Sequence, residues 1–408
     1  MPARSDLHGA CMHICFLCSE YPPGPHGGIG TFTRTLGRAL AARGVEVTAI
    51  GLYPVVRETH ENDLGVRVVR LPHSRVRGAG FFLNGLRLRS ALRRLHETSP
   101  IDVLEGQENS LAMLPRRFIA PKTIRMHGGH HFFAVTLGRK PKPWRGWIEK
   151  RSFHRSDFRC GVSRFVVTKT CALLGMSPDG IEVIPNPIDT TLFAPRPGVA
   201  ADGLVMFVGT VCEKKGVRQL MLAVPQILAA VPRAQILVVG PDSIDESTGG
   251  SYTQSMRRLL PGHAAPHVTF TGPIDNAQLP EAMARAAVCV YPSHMEALPI
   301  AFLEAMAMGK SVVASGAGPG PEVVDDGVSG LLCDPHDPAS IAEQVTRVLT
   351  DPELARRLGE RAQREVATRF SVDVLVDRNL DWYRGCIERY RSLQVQRRHS
   401  TRRTTRQS

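Results

Sequence analysis

The 408-residue chain has no run of ~18 uninterrupted apolar residues, the length a membrane-crossing helix needs. It lacks a clean secretory leader. The apolar run in MPARSDLHGACMHICFLCSEYPP is short, and Ser19, Glu20, Tyr21 and Pro22 stand where a cleavage region belongs. It lacks a disulfide framework as well. Nine cysteines, at 11, 15, 18, 160, 171, 212, 289, 333 and 386, are an odd number without regular spacing, and most fall inside apolar, strand-like runs. A reducing, cytoplasmic setting is expected. Acidic residues are the scarcer charge: 38 Asp and Glu against 51 Lys and Arg give a net charge of +13. What remains is ordinary for a globular chain, with 43% hydrophobic and 22% charged residues. That excludes a mostly disordered, collagenous or fibrous protein. At ~150 residues per domain the length suggests two or three domains.

Part of the positive charge sits at the end. The segment RSLQVQRRHSTRRTTRQS carries six Arg and no acid. Residues 393–408 are expected to be a basic, disordered tail. A positive body suits anionic substrates or an anionic membrane surface. No nucleic-acid recognition motif accompanies the charge, so no nucleic acid is expected as a partner.

Short β-branched runs alternate with helical patterns almost throughout. Strands are expected at 12–18, 45–52, 66–70, 101–105, 123–127, 158–162 and 181–184. A second series follows at 204–208, 235–240, 267–270, 287–291, 311–314 and 330–332. Between them lie patterns such as TFTRTLGRALAARG (31–44) and VRQLMLAVPQILAAV (217–231). This alternation predicts an α/β fold of two Rossmann-like, doubly wound domains facing across a cleft. The expected division is 1–193, a linker at 194–203 rich in Pro, Ala and Gly, and 204–372. A long helical run is expected over 338–366. A helix over 373–392 is expected to return to the N-terminal domain. Ligands of such sheets bind beyond the carboxyl ends of the strands.

The first strand–helix junction reads SEYPPGPHGGIGTF. Gly27, Gly28 and Gly30 allow a tight turn, and the helix that follows offers free N–H groups to a phosphate. It is not the dinucleotide fingerprint, because Thr33 stands where the third Gly belongs. Gly309-Lys310-Ser311 resembles the end of a P-loop, but Glu304 replaces the required Gly. Cys15 and Cys18 form a CxxC on a strand, where residues three apart point to opposite faces and cannot readily pair. No DxD-like acid pair stands out, so no metal site and no cofactor are expected.

The most informative stretch is YPSHMEALPIAFLEAMAMGKSVVAS (291–315). Glu296 falls in a loop after a strand, and Glu304 in the early turns of the next helix. A carboxylate accepts two sugar hydroxyls well, so two of them can grip polyol rings. The N–H groups of Leu298, Ile300 and Ala301 are free to hold a hydroxyl or an anion.

With seven residues between them, Glu296 and Glu304 form an E-x7-E signature. Placed before AMAMGKSVV, it resembles that of the retaining family 4 glycosyltransferases, which have the GT-B fold. HGGIGTF, RMHGGHH (125–131), VIPNPID (183–189), FVGTVCEKKG (207–216), the stretch HVTFTGPIDNAQLPEAMARAAVCVYPS and GPGPEVVDDGVSGLL (318–332) resemble further segments of that family in the same order. The likeness runs from about residue 12 to residue 390.

The resemblance implies a sugar transfer from a UDP or GDP sugar to an acceptor hydroxyl, with retention and without a metal, in cell-surface polysaccharide or glycolipid synthesis. It implies that Glu304 holds the donor ribose. Glu296 would contact the transferred sugar or the adjoining phosphate, and Lys215 would neutralise the diphosphate. Gly27, Gly28 and Ile29 would cradle a phosphate, and His127 would bond a sugar hydroxyl. Gly272, Pro273 and Ile274 would flank the base. Thr210, Lys214, Leu298, Ile300 and Glu322 would complete the donor pocket. Thr210 stands where the family often has Arg, with Lys214 as the substitute cation. Ala297-Leu298 replaces the family's Gly-Phe, and Asn186-Pro187 its Asn-Gly. An inactive, nucleotide- or carbohydrate-binding relative is the alternative.

The acceptor, a sugar or a lipid-linked sugar, is expected on the N-terminal half. There FFLNGLRLRSALRRL (81–95) and GRKPKPWRGWIEKRSFHR (138–155) mix basic residues with aromatics. They suggest a peripheral dock on the inner face of a membrane.

Overall fold

The computed structural model describes residues 12–76, 79–196, 198 and 200–404. In the N-terminal half the strands are β1 (His13–Leu17), β2 (Glu46–Tyr53), β3 (Thr59–Asp63), β4 (Val66–Pro72), β5 (Val103–Gly106), β6 (Lys122–Met126), β7 (Phe158–Gly161) and β8 (Glu182–Val183). They form one sheet in the order β3-β4-β2-β1-β5-β6-β7-β8. The second half adds β9 (Leu204–Val208), β10 (Gln235–Val239), β11 (Val268–Gly272), β12 (Val288–Tyr291), β13 (Ser311–Ser315) and β14 (Leu331–Cys333). Their order is β11-β10-β9-β12-β13-β14. Every pairing is parallel except β3 with β4. β1, β6, β12 and β13 are buried along their whole length, as strands covered on both faces must be.

Each sheet reverses its winding once. The reversal lies between β1 and β5 in the first sheet and between β9 and β12 in the second. These two points place the loops after β1, β9 and β12 where a ligand has room. They are the loops that carry Gly27–Ile29, Lys215 and Glu296.

The expected doubly wound architecture is borne out, with three local differences. β3 reads THEND, polar and largely exposed, so it has no apolar alternation to reveal it. The run expected as one helix over 338–366 is two, Pro338–Thr350 and Pro352–Arg369. Pro352 cannot continue a helix from its predecessor, and Asp351 caps the new one by accepting from Leu354 N–H at 2.9 Å. The disordered tail expected from residue 393 is not found there: the last helix runs Val372–Thr404, and 405–408 lie outside the described residues. A segment without Pro or Gly continues a helix whose earlier turns are already packed.

That last helix crosses to the first domain. Leu375, Tyr383 and Cys386 join Leu36 and Leu40 of helix Gly28–Ala42 in one core cluster. Arg125 of β6 anchors the crossing. Its guanidinium bonds Glu105 at 2.8 and 3.1 Å and Asn379 at 2.6 Å, while Tyr383 O–H donates to Glu105 at 2.9 Å. The buried charge is thereby paired and its donors used. Cys15 and Cys18 are free and buried, and they belong to different clusters on opposite faces of the sheet.

Candidate active site

One cleft of about 480 Å³ lies between the two domains, lined by residues of both. On its N-terminal side, helix Gly28–Ala42 begins after Gly27, which has no side chain to cap it. Gly30 N–H donates to Glu20 Oε1 at 2.9 Å. The N–H groups of Gly28 and Ile29 have no protein acceptor among the described residues. They point a positive helix end into the cleft. Gly30 must be glycine, because a Cβ there would strike the Glu20 carbonyl.

His127 enters from the end of β6. Its N–H donates to Glu108 at 2.6 Å, and its ring lies 4.8 Å from that of Phe32. Burial, and then the charge of Arg125, push the imidazole down to about 3. At neutral pH it is therefore an uncharged hydrogen-bonding group. Burial, aided by the nearby Glu149, pushes the Glu108 carboxyl up to about 7.

The C-terminal wall is built from side chains. After β9 a short turn, Glu213–Lys215, stops at Gly216, whose φ of 69° is left-handed. A Cβ at Gly216 would collide with the Pro292 carbonyl. Removing it lets the Glu296 loop lie directly on this turn, where His294 N–H donates to the Lys214 carbonyl at 2.9 Å. The result is an ion pair of 2.5 Å between Lys215 Nζ and Glu296 Oε1. Lys214 packs over the ring of Phe133, across the cleft, at 4.4 Å.

Glu304 lies on helix Ile300–Ala307 and is buried, yet its residue lines the cleft. Burial pushes its carboxyl up to about 7, with Arg34 pulling it back. Leu298 and Ile300 lie at the mouth of the same helix. The backbone here is gripped from the other domain: Ser163 O–H donates to the Ala297 carbonyl at 2.6 Å, and Asn186 Nδ2 to the Leu298 carbonyl at 3.3 Å.

The cleft thus brings together Gly27, Gly28, Ile29, His127, Thr210, Lys214, Lys215, Pro273, Ile274, Glu296, Leu298, Ile300 and Glu304. Two expected members are elsewhere. Gly272 does not line the cleft; its carbonyl accepts from Gly240 N–H at 3.0 Å and fixes the loop that presents Pro273. Glu322 does not line the cleft either. Its carboxylate accepts the N–H groups of Arg164 and Phe165 at 2.7 and 2.6 Å, capping helix Arg164–Leu174 of the other domain. Free N–H groups at a helix start attract the nearest carboxylate, and here it comes across the domain boundary.

Sequence reasoning missed Glu20, Asn186 and Asn276, which also line the cleft. Asn186 Oδ1 is buried without a hydrogen-bond partner. Its place within VIPNPID was a usable signal, and so was Glu20's place three residues after β1. Among the described residues no three His, Cys, Asp or Glu side chains are grouped to hold a metal ion.

The chain matches two family models that adjoin: Glycosyltransferase Family 4 over residues 26–192 and Glycosyl transferases group 1 over residues 195–365. It is 27% identical over 403 residues to a GDP-mannose-dependent alpha-(1-6)-phosphatidylinositol monomannoside mannosyltransferase of Mycobacterium tuberculosis, covering 91% of this chain and 98% of that one. In fold it is similar to a sucrose-phosphate synthase from Thermosynechococcus elongatus, with a TM-score of 0.76, 24% identity and coverage of 92% and 98%. It is also similar in fold to HepE of Anabaena in complex with UDP and glucose, with a TM-score of 0.71, 19% identity and coverage of 92% and 100%. Two facing doubly wound domains, an E-x7-E pair in the cleft between them and two adjoining family matches lead to one assignment: the chain belongs to the family 4 glycosyltransferases and has the GT-B fold.

Proposed function

We propose that the chain moves a hexose-type sugar from a UDP or GDP sugar to an acceptor hydroxyl, with retention and without a metal ion or cofactor. The observation that carries this reading is the convergence of Lys215, Glu296 and Glu304 on the uncapped helix start at Gly27–Ile29 within one cleft. Lys215 and that helix start are the positive groups for the departing diphosphate. Stabilising charge where it develops is the main lever such a site has. Glu304 meets the ribose hydroxyls, Glu296 the transferred sugar, and neutral His127 a sugar hydroxyl. Pro273 and Ile274 lie beside the base. The mycobacterial relative is named for GDP-mannose and the Anabaena structure holds UDP, so both bases stay in the proposal.

On this reading the acceptor is a sugar or lipid-linked sugar of polysaccharide or glycolipid synthesis, and the enzyme works from the cytoplasmic face of a membrane. No helix among the described residues is long and apolar enough to cross one. Exposed Phe82, Leu83, Leu86, Trp144 and Trp147 support an interfacial position. Reversing the charge of Arg87, Arg89, Arg93 and Arg94 should abolish binding to anionic vesicles; unchanged binding would remove the membrane from the proposal.

The main test is a thermal-shift panel of nucleotide diphosphates and their sugars. Wild type should be stabilised by one base class, in line with site occupancy. Glu304→Ala and Lys215→Ala should lose that shift. Folded protein that responds to no nucleotide would overturn the reading.

A further inference from the structure

A second cavity lies on the far side of helix Pro143–Arg155. The buried positions of this helix are Gly146, Glu149, Ser152 and Phe153. Glu149 among them accepts from His131 N–H at 2.9 Å, next to the loop that carries His127. Trp147, Lys150, Arg151, His154 and Arg155 repeat at i, i+3, i+4, i+7 and i+8, so they form a separate stripe. With Arg116 they line an open cavity of about 620 Å³. It shares no residue with the donor cleft.

A stripe of solvated cations on a convex helix would call for no comment. This one differs in three respects. It is concave, and its lining contains no carboxylate. Among the described residues, Arg116, Lys150, Arg151 and Arg155 form no ion pair, whereas other Arg of this half, such as Arg38 and Arg94, do. Arg155 is depressed by burial and then by the charges of Arg151 and Arg116, so the repulsion among them is unrelieved. The third respect is order. Arg151 Nε donates to the Ala112 carbonyl at 2.9 Å, and its guanidinium lies 5.3 Å over the Trp147 ring. Trp147 in turn stacks on Trp144 at 4.9 Å and 15°. Arg151 and the Trp147 ring are therefore held ready before any ligand arrives, which lowers the cost of binding.

We propose that this cavity binds a phosphate ester. Arg116, Lys150, Arg151 and Arg155 surround the phosphate, and Trp147 lies against the organic part. Guanidinium forks match phosphate oxygens in pairs, and a rigid aromatic wall suits a polyol or glycerol unit. The volume is that of a small-molecule site. The ester arrives either as a soluble phosphodiester or as the headgroup of a lipid. The inference does not depend on the transfer reaction proposed above.

The chain supplies its own reporter. Of its three Trp, Trp147 lines the cavity, Trp144 stacks on it, and Trp382 is buried elsewhere. Full-length protein is titrated with glycerophosphoglycerol, and separately with vesicles of phosphatidylcholine with or without phosphatidylglycerol. A saturable change in tryptophan emission is expected, beyond that given by sodium chloride at equal ionic strength. Arg151→Gln with Arg155→Gln should weaken it at least about 10-fold, as losing two charge-assisted bonds requires. Arg151→Lys with Arg155→Lys should recover part of it. Cooperative melting of each variant reports folding independently of any nucleotide. A response to the soluble ester supports a soluble ligand. A response confined to phosphatidylglycerol vesicles, and lost in the Gln variant, supports the lipid headgroup. No saturable response in either arm, or equal responses from wild type and the folded Gln variant, overturns the proposal.

Discussion

On the N-terminal side of the cleft, Gly27, Gly28 and Ile29 offer backbone N–H groups, held in place by the carboxylate of Glu20 beneath them. On the C-terminal side, Lys215, Glu296 and Glu304 offer side chains. This helix start is fixed by geometry and, His127 beside it aside, the first wall hardly depends on residue identity beyond glycine. The second depends on which side chain stands where. Point substitutions should therefore be felt far more strongly on the C-terminal wall. Lys215→Ala is the sharpest instance. It removes the cation proposed to face the diphosphate and leaves Glu296 without its 2.5 Å partner. Steady-state rates with the donor identified by thermal shift should fall by about 10²–10³-fold in kcat. A fall of less than about tenfold would mean that the helix start alone carries the leaving-group charge, and the contrast between the walls would fail.

Glu304→Ala comes next. No protein group hydrogen-bonds its carboxyl among the described residues, which leaves both oxygens for a ligand. Losing two bonds to a charged group should weaken donor binding by about 10- to 100-fold, measured by calorimetry. The effect should appear in Kd and not in the rate of the bound complex.

Glu304 also supplies a pH signature that the backbone wall cannot. Its carboxyl is pushed up to about 7, so it is largely neutral in mildly acidic solution. The charged form accepts hydroxyls from a sugar, so donor affinity should fall as pH drops through 7. Stability should run the other way. A folded-state value above the ordinary one of 4.5 means that the folded protein holds this proton more tightly than the unfolded chain. The associated stability is present below about pH 4.5 and is lost as pH rises through 7. Glu304→Gln, which cannot ionise, should therefore be more stable than wild type at pH 8, on the order of 1–3 kcal/mol, and nearly equal at pH 5. Urea unfolding at the two pH values checks this. Glu108 shares the direction of shift, but it is present in both proteins and cancels from the difference.

The same contrast separates what the sequence made legible from what it did not. Strands such as ILVV and VCVY announce themselves because they are apolar throughout, and the order of two such series gave the fold. Lys215 and Glu296 were legible as motif members. Their ion pair was not, since it depends on Gly216 passing beneath Pro292, a contact between segments far apart in the chain. β3 was invisible because its five residues are polar. Asn186 stands within a legible motif, but an amide's partner across a domain boundary has no signature in local spacing. Glu322 lies away from the cleft for a related reason. Its motif position was right, but a carboxylate turns toward the nearest unpaired donors, and those belong to a helix of the other domain.

Glu322→Ala should give the smallest effect, and its pattern makes the comparison sharper. Glu304 and Glu322 are both glutamates of the C-terminal domain, but Glu322 spends its carboxylate on the N–H groups of Arg164 and Phe165. Losing a helix cap costs about 0.5–2 kcal/mol. The cap spans both domains, so the loss should appear as looser closure over the cleft as well as a lower melting temperature. Donor Kd should then rise only a few-fold, through the smaller population of the closed form and not through a lost contact. Glu322→Gln, which keeps one acceptor oxygen, should recover much of it. Hydrogen exchange at Arg164 and Phe165 distinguishes the two routes. If Glu322 acts as a cap, these amides exchange faster in Glu322→Ala than in Glu304→Ala. If they exchange equally in both, the carboxylate is not what holds that helix start, and Glu322 returns to the donor pocket.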